Sequence, residues 1–284
     1  MDTADVVRTL ADINGIEVRS LRQIQGGWAS WTFEVNDRFI VRFPRTADIA
    51  TSMTAELQLL PRLAPLVDFA VPQICWSGVH NGWPYFAYET IPGQPLQCSD
   101  LDARPALAVE VADALRCLHA VPPPTVADPD RALGDWRAKY GRLHAQTREA
   151  VLPLLNDRTA KILEEAWILF ESSLVFTPVL VHADLGVEHV LVEDSHFVGI
   201  IDWETACLGD PAIDFVGLHI AVGSMWTARI LDAYAPNAVV LANRVPAYAW
   251  LSSVHAILYG LDEQRTDIVT DGIAGLHRFL SVAP

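Results

Sequence analysis

The stretch VLVHADLGVEHVLV, residues 179 to 192, constrains this chain more than any other. Two runs of aliphatic residues enclose His182, Asp184 and His189, and a third run, FVGII, leads straight into Asp202. Short apolar runs bounded by turn residues such as Glu193-Asp194-Ser195 predict buried strands. Polar side chains held among such strands cost free energy unless something pairs with them. If the two runs pair as a small hairpin, two carboxylates and an imidazole, Asp184, Asp202 and His189, converge at its rim, where a metal ligand or a base is usefully presented.

The rest of the chain can support such a site. Its 284 residues, 51% hydrophobic and 19% charged, suffice for one large domain or two lobes. A formal net charge of -15 argues against a nucleic-acid partner, whose phosphates demand a basic surface, and suits a cationic small molecule, although acidity also serves solubility alone. Cys75, Cys98, Cys117 and Cys207 form neither a CxxC pair nor a zinc spacing, so buried free thiols in a reducing compartment are expected. The N-terminus lacks the pattern of a signal peptide and no apolar stretch is long enough to span a bilayer. A cytoplasmic protein with no membrane partner is expected.

Along the chain, SWTFEVNDRFIVRFP alternates on both sides of Asn36-Asp37 and predicts a β-hairpin, with Ile40 and Arg42 on one face. Ile49, Met53, Leu57 and Leu60 then fall at helical spacing, with Pro61 as a stop or kink. Glu56 lies on that apolar stripe and needs a partner. Two strands around Asn81-Gly82 follow, and IPGQPL supplies a hinge near Pro92 and Gly93. Beyond it the pattern turns helical, with Leu107, Val111, Ala114, Leu115 and Leu118 on one face, VPPPTVADPD as a loop, and residues 134–175 as further helix. Domains of residues 1–92 and 93–284 are expected. Asp210 followed by Pro211 reads as a helix cap with proline in the first turn.

HADLGVEHVLV followed by GIIDWETACLGDPAIDF resembles the signature of the aminoglycoside phosphotransferase family, which includes the aminoglycoside and macrolide antibiotic kinases. The resemblance implies an α+β, protein-kinase-like fold of two lobes. The small N-terminal lobe would hold an antiparallel sheet plus one helix, and the larger lobe would be mainly helical. It assigns Asp184 to the acceptor hydroxyl, and His189 and Asp202 to the magnesium ions that bridge the nucleotide phosphates. Most members carry asparagine where His189 stands, and macrolide kinases resemble this chain there. Neutral imidazole on the metal implies tolerance of manganese, while a structural His189 beside Asp202 as sole ligand stays open.

In the N-terminal lobe the resemblance pairs Arg42 with Glu56 and sends Arg42 to the α- and β-phosphates, although lysine is commoner there. Arg42 can grip Glu56 bidentately and still reach phosphate, or the pair only joins strand to helix. Ile40 would roof the base, Gly26, Gly27 and Ser30 would cover the phosphates, and Glu89 and Ile91 would offer main-chain groups to the purine. The bulky Tyr88 resembles members that favour GTP. His182 would brace the catalytic loop, and Asp210 and Asp214 are scaffold.

The function implied is transfer of the γ-phosphate of ATP or GTP to a hydroxyl of a macrolide or aminoglycoside antibiotic. Asp262, Glu263, Asp267 and Asp271 offer carboxylates to a cationic acceptor or form an acidic solvated surface, and Trp226 and Trp250 offer apolar contact. A metabolite kinase for a sugar, choline or homoserine, or a catalytically silent nucleotide-binding protein, are the alternatives.

Overall fold

The computed structural model describes residues 5–7, 9, 16–24, 29–122, 129–235 and 239–281. Gly26 and Gly27, with most of the VPPPTVADPD segment, lie outside them. The chain divides into two compact units, Met1–Leu96 with Glu188–Ala206, and Gln97–Val187 with Cys207–Pro284.

In the first unit, β1 (Leu21–Ile24), β2 (Ser30–Val35), β3 (Phe39–Pro44), β4 (Ile74–His80) and β5 (Trp83–Glu89) form an antiparallel sheet in the order β1-β2-β3-β5-β4. Its hairpins close where two consecutive residues adopt left-handed backbone, Asn36 and Asp37 in one, Asn81 and Gly82 in the other. That geometry matches the right-handed twist of the flanking strands, and Asn, Asp and Gly adopt it most readily. One face buries Phe33, Val35, Val41, Phe43, Tyr85 and Ala87, and Ile40, Phe86 and Tyr88 pack instead around Met53.

Met53 belongs to α1 (Ala47–Leu63), capped by the Thr46 hydroxyl, which accepts from the Ile49 N–H. The buried stripe runs through Met53, Glu56, Leu60 and Leu63, while Ile49 and Leu57 lie at its margin. Pro61 sits inside the helix and does not stop it. The two further residues after Pro61 keep apolar Leu63 in the core, which offsets the one N–H that proline lacks.

Three short strands, β6 (Gln94–Pro95), β8 (Val190–Glu193) and β9 (His196–Ile200), complete the first unit in the order β6-β8-β9. β8 and β9 turn over left-handed Asp194 and Ser195. Gly93 enters β6 at φ 109°, and a Cβ there would stand 2.9 Å from the Val192 carbonyl oxygen, so no larger residue seats β6 on β8. Ala70 is stitched to β9 through its N–H on Val198 O (3.0 Å) and its carbonyl on the Ile200 N–H (2.9 Å).

In the second unit, β7 (Val179–Val181) pairs antiparallel with β10 (Cys207–Gly209). The small hairpin expected around residues 179–192 is thus corrected: β7 takes β10, and the hairpin is β8 with β9. The unit is otherwise helical: α2 (Cys98–Ala103), α3 (Leu107–His119), α4 (Pro129–Gln146), α5 (Asp157–Ser173), α6 (Val216–Tyr234, interrupted at Gly223), α7 (Val239–Asp262) and α8 (Thr266–Ser281). Its core is aromatic, with Trp136, Tyr140, Trp167, Phe170, Tyr248 and Trp250 meeting mostly edge to face, as ring quadrupoles prefer. No helix among the described residues is long and apolar enough to cross a membrane.

Candidate active site

Strand β3 carries Arg42 into the interior of the first unit, on the face it shares with Ile40, because side chains two apart on a strand point the same way. Its Nη1 donates to both carboxylate oxygens of Glu56, at 2.9 and 3.0 Å. Its Nη2 donates to Asp202 Oδ1 at 2.7 Å, to Glu204 Oε2 at 2.8 Å and, at a longer 3.5 Å, to the buried Ser30 hydroxyl. Burial works against the guanidinium charge, but Glu56, Asp202 and Glu204 outweigh it and hold its pKa above the usual value.

Glu56 is almost wholly buried and accepts a third hydrogen bond from the Trp203 N–H at 3.2 Å. Burial pushes its pKa up to about 7; Arg42 and the Trp203 N–H pull it down, and Asp202 and Glu204 push it up. One guanidinium serving three carboxylates leaves an excess of negative charge, which is why burial prevails at Glu56. A raised folded-state pKa means that the protonated form is favoured on folding. The associated stability is present below about pH 4.5 and is lost as the pH rises through about 7. The unfolding midpoint of the wild type should therefore fall relative to Glu56→Gln across that window, and a gap that stays constant with pH would overturn this assignment.

His189 and Asp202 come from the two ends of the β8–β9 hairpin, and His189 Nε2 lies 3.6 Å from Asp202 Oδ2. Asp202 holds left-handed backbone at φ 69°, unusual for a residue with a side chain, and its carboxylate remains 37% exposed. No group of three or more His, Cys, Asp or Glu among the described residues is arranged to enclose a metal. Magnesium does not require one, since it keeps several waters and commonly takes one or two protein ligands beside nucleotide phosphates. A half-exposed carboxylate oxygen with an imidazole beside it fits that role.

Asp184 stands in the second unit, exposed in the loop after β7. The loop is shaped from beneath by buried Asp214, whose two oxygens accept the N–H groups of His182 (2.9 Å) and Ala183 (2.8 Å). Ala183 is left-handed at φ 66°, turning the chain so that the Asp184 N–H points back to His182 Nδ1 at 3.4 Å. His119, at the end of α3, places Nε2 3.1 Å from Asp214 and Nδ1 2.8 Å from the Tyr234 hydroxyl. Gly217 of α6 presses on the same loop: a Cβ there would lie 2.4 Å from Leu185 O.

Asp210 caps the turn Pro211–Phe215 through the Ala212 N–H and is paired with Arg244, whose Nη2 donates to Oδ1 at 2.9 Å while its Nε lies 2.7 Å from Oδ2 without the alignment of a hydrogen bond. Tyr88 is buried with Ile40 in the cluster around Met53. Glu89 ends β5 with its carboxylate on Arg38, and half-buried Ile91 follows. Asp262 and Glu263 are exposed, whereas Asp267 is engaged by Arg265, which holds its carboxyl down to about 2. Trp226 is packed inward with its indole N–H on Asp102, and Trp250 stacks edge-on to Trp167. Sequence reasoning passed over Glu204 and His119. Glu204 lies two residues beyond Asp202, and His119 ends an apolar helix face.

The sequence profile of the phosphotransferase enzyme family matches residues 20–251. Viomycin phosphotransferase of Streptomyces vinaceus is 27% identical over 252 residues, covering 83% of this chain and 86% of that one. The solved GDP complex of an aminoglycoside 2′-phosphotransferase-IIIa superposes with a TM-score of 0.86 at 24% identity, over 98% of this chain and 97% of the other. A type I macrolide 2′-phosphotransferase does so at 0.75 and 25%, over 97% and 98%. The fold is that of the protein-kinase-like phosphotransferases, with an antiparallel sheet in the N-terminal part and a helical C-terminal region.

Proposed function

The chain belongs to the phosphotransferase enzyme family, and from that premise we propose that it moves the γ-phosphate of ATP or GTP to a hydroxyl of a small-molecule antibiotic of the aminoglycoside or macrolide kind. The observation that carries this is the cluster of the first unit, in which Asp202, beside His189, is held by the same Arg42 that grips Glu56. The relatives act on, or are named for, viomycin, aminoglycosides and macrolides, and one is solved with GDP.

In this reading the first unit carries the nucleotide and the second the acceptor. Ile40 and Tyr88 border the base, Glu89 and Ile91 offer main-chain groups to it, and Gly26, Gly27 and Ser30 are assigned to the phosphates. Asp184 orients the acceptor hydroxyl and takes its proton as the oxygen bonds to the γ-phosphorus and the bond to the bridging β–γ oxygen breaks, releasing ADP or GDP. Magnesium, or manganese, would be held by His189 and Asp202 and would neutralise phosphate charge. Exposed Asp262 and Glu263 favour a cationic acceptor.

The test is nucleotide consumption with ATP and with GTP, in magnesium, against aminoglycosides, macrolides, peptide antibiotics and common metabolites. A phosphorylated aminoglycoside or macrolide is expected, with a KM for GTP at or below that for ATP. Turnover confined to a sugar, choline or homoserine would transfer the chain to the metabolite kinases. Nucleotide binding without any phosphorylated product would leave it a silent member of the fold.

A further inference from the structure

The 35 acidic side chains of this chain outnumber its 20 basic ones, so a cation on its surface has carboxylates in ample supply. One face of α4 departs from that expectation. Arg131, Asp135, Lys139 and Arg142 follow one another at steps of four and three residues, which places them on a single stripe of the helix. Asp135 is taken by Arg131, whose Nε lies 3.4 Å from its Oδ2. Among the described residues neither Lys139 nor Arg142 has a carboxylate or a hydrogen-bond acceptor of its own.

The stripe borders a groove of about 600 Å³ between α4 and β10, wholly within the second unit. The wall toward β10 is apolar. Trp136 lies against Gly209, where a Cβ would stand 2.2 Å from the indole Cζ3, and Cys207 and Leu208 continue the wall. Lys139 Nζ stands 5.4 Å from the Trp136 ring centroid and 5.6 Å from that of Tyr140, which draws the ammonium to the groove without using its N–H donors. Cys207 brings no charge, because burial pushes its thiol up to about 11 against the pull of Lys139.

Like charges three residues apart on a helix repel one another, and here no carboxylate relieves them. An anion in the groove would take the unused N–H donors of Lys139 and Arg142 in charge-assisted bonds, and two free cations match a dianion. The apolar wall and the volume suit a small organic molecule better than a bare inorganic ion. We propose that the groove between α4 and β10 binds a phosphate monoester with a flat apolar body, held by Lys139 and Arg142 at its charged end and by Trp136 and Leu208 along its body. The site is additional to the ion cluster of the first unit. Cys207 faces Val181 across the β7–β10 ribbon, so the occupant bridges α4 and the ribbon that leads into the Asp184 loop.

The test uses phenyl phosphate as the probe, with inorganic phosphate and benzyl alcohol as its two halves, on wild type, Lys139→Gln, Arg142→Gln and the double variant. Both side chains are exposed, so the variants should fold, and loss of one of two repelling charges should leave the unfolding midpoint unchanged or higher. Binding is read by calorimetry with saturating ADP and magnesium, which keep the probe from the first unit, and again without them. Phenyl phosphate should bind the wild type at least about threefold more tightly than either half. Each single variant should weaken it about threefold and the double variant about tenfold or more, with the Kd for ADP the same in all four proteins. The probe should also slow maleimide alkylation of Cys207, followed on its peptide by mass spectrometry, in the wild type and not in the double variant.

No saturable binding up to about 10 mM, or an affinity unchanged in the double variant, would overturn the proposal. Inorganic phosphate binding as tightly as phenyl phosphate, or a Cys207 that reacts as fast with the probe as without it, would do so too, by reducing the groove to a patch of surface charge. A midpoint lowered in either single variant would show that the cation has a partner, and would count against the proposal in the same way. Should ADP not bind, the functional reading fails while the titration without it still judges the groove.

Discussion

Asp184→Asn is expected to fold as the wild type does and to lose about 10²–10⁴-fold in turnover, the range associated with removing a positioned general base. The two halves of that expectation have separate causes. The loop around Asp184 is shaped by Asp214, which holds the N–H groups of His182 and Ala183, and by Gly217 beneath Leu185. Asp184 is exposed, and an isosteric amide keeps the size and shape of its side chain. It cannot, however, accept the acceptor's proton. Nucleotide Kd should stay within about twofold of wild type, since the lost interaction is made in the transition state. Steady-state kinetics with a titration of nucleotide would check both, and wild-type turnover in the variant would remove Asp184 from its role.

Asp210→Ala is expected to cost about 3–5 kcal/mol of stability, because it strands a buried guanidinium. Arg244 and Asp210 are both buried and share two short contacts, and Tyr248 donates its hydroxyl to Asp210 at 3.1 Å. The same carboxylate caps the turn at Pro211, worth about 1 kcal/mol more. Replacing both partners by apolar residues, as in Asp210→Leu with Arg244→Met, should recover part of the loss, since no charge is then left unpaired. Denaturant unfolding measures each step. A loss under about 1 kcal/mol for Asp210→Ala would show that Arg244 finds water or another acceptor.

Local signals in this chain were readable and distant ones were not. Asn36-Asp37, Asn81-Gly82 and Asp194-Ser195 mark their hairpins because left-handed backbone selects those residue types. Glu56 announces a need for a partner, because a carboxylate on an apolar helix stripe is costly alone. The strand partner of β7 is not announced: Val181 lies next in sequence to the loop leading to β8 yet pairs with Cys207, and apolar strands of three residues carry no mark of register. Pro61 reads as a stop because propensity is local, while the burial of Leu63 that carries the helix past it is tertiary. Trp226 and Trp250 show why aromatic residues alone do not locate a ligand, since packing and recognition use the same rings. The sharing of Arg42 among Glu56, Asp202 and Glu204 joins segments that no periodicity relates.

The first unit is sewn from two separate stretches, with Glu188–Ala206 returning to join Met1–Leu96. Recombination between relatives therefore meets an obstacle at this site. A crossover at residue 96 would bring in a new Arg42 and Glu56 while leaving behind the Asp202 and Glu204 with which they were matched, so chimeras should inherit the hairpin together with the leading segment or lose the ion cluster. Exchange of the helical unit alone, with both stretches kept, is the junction that preserves it.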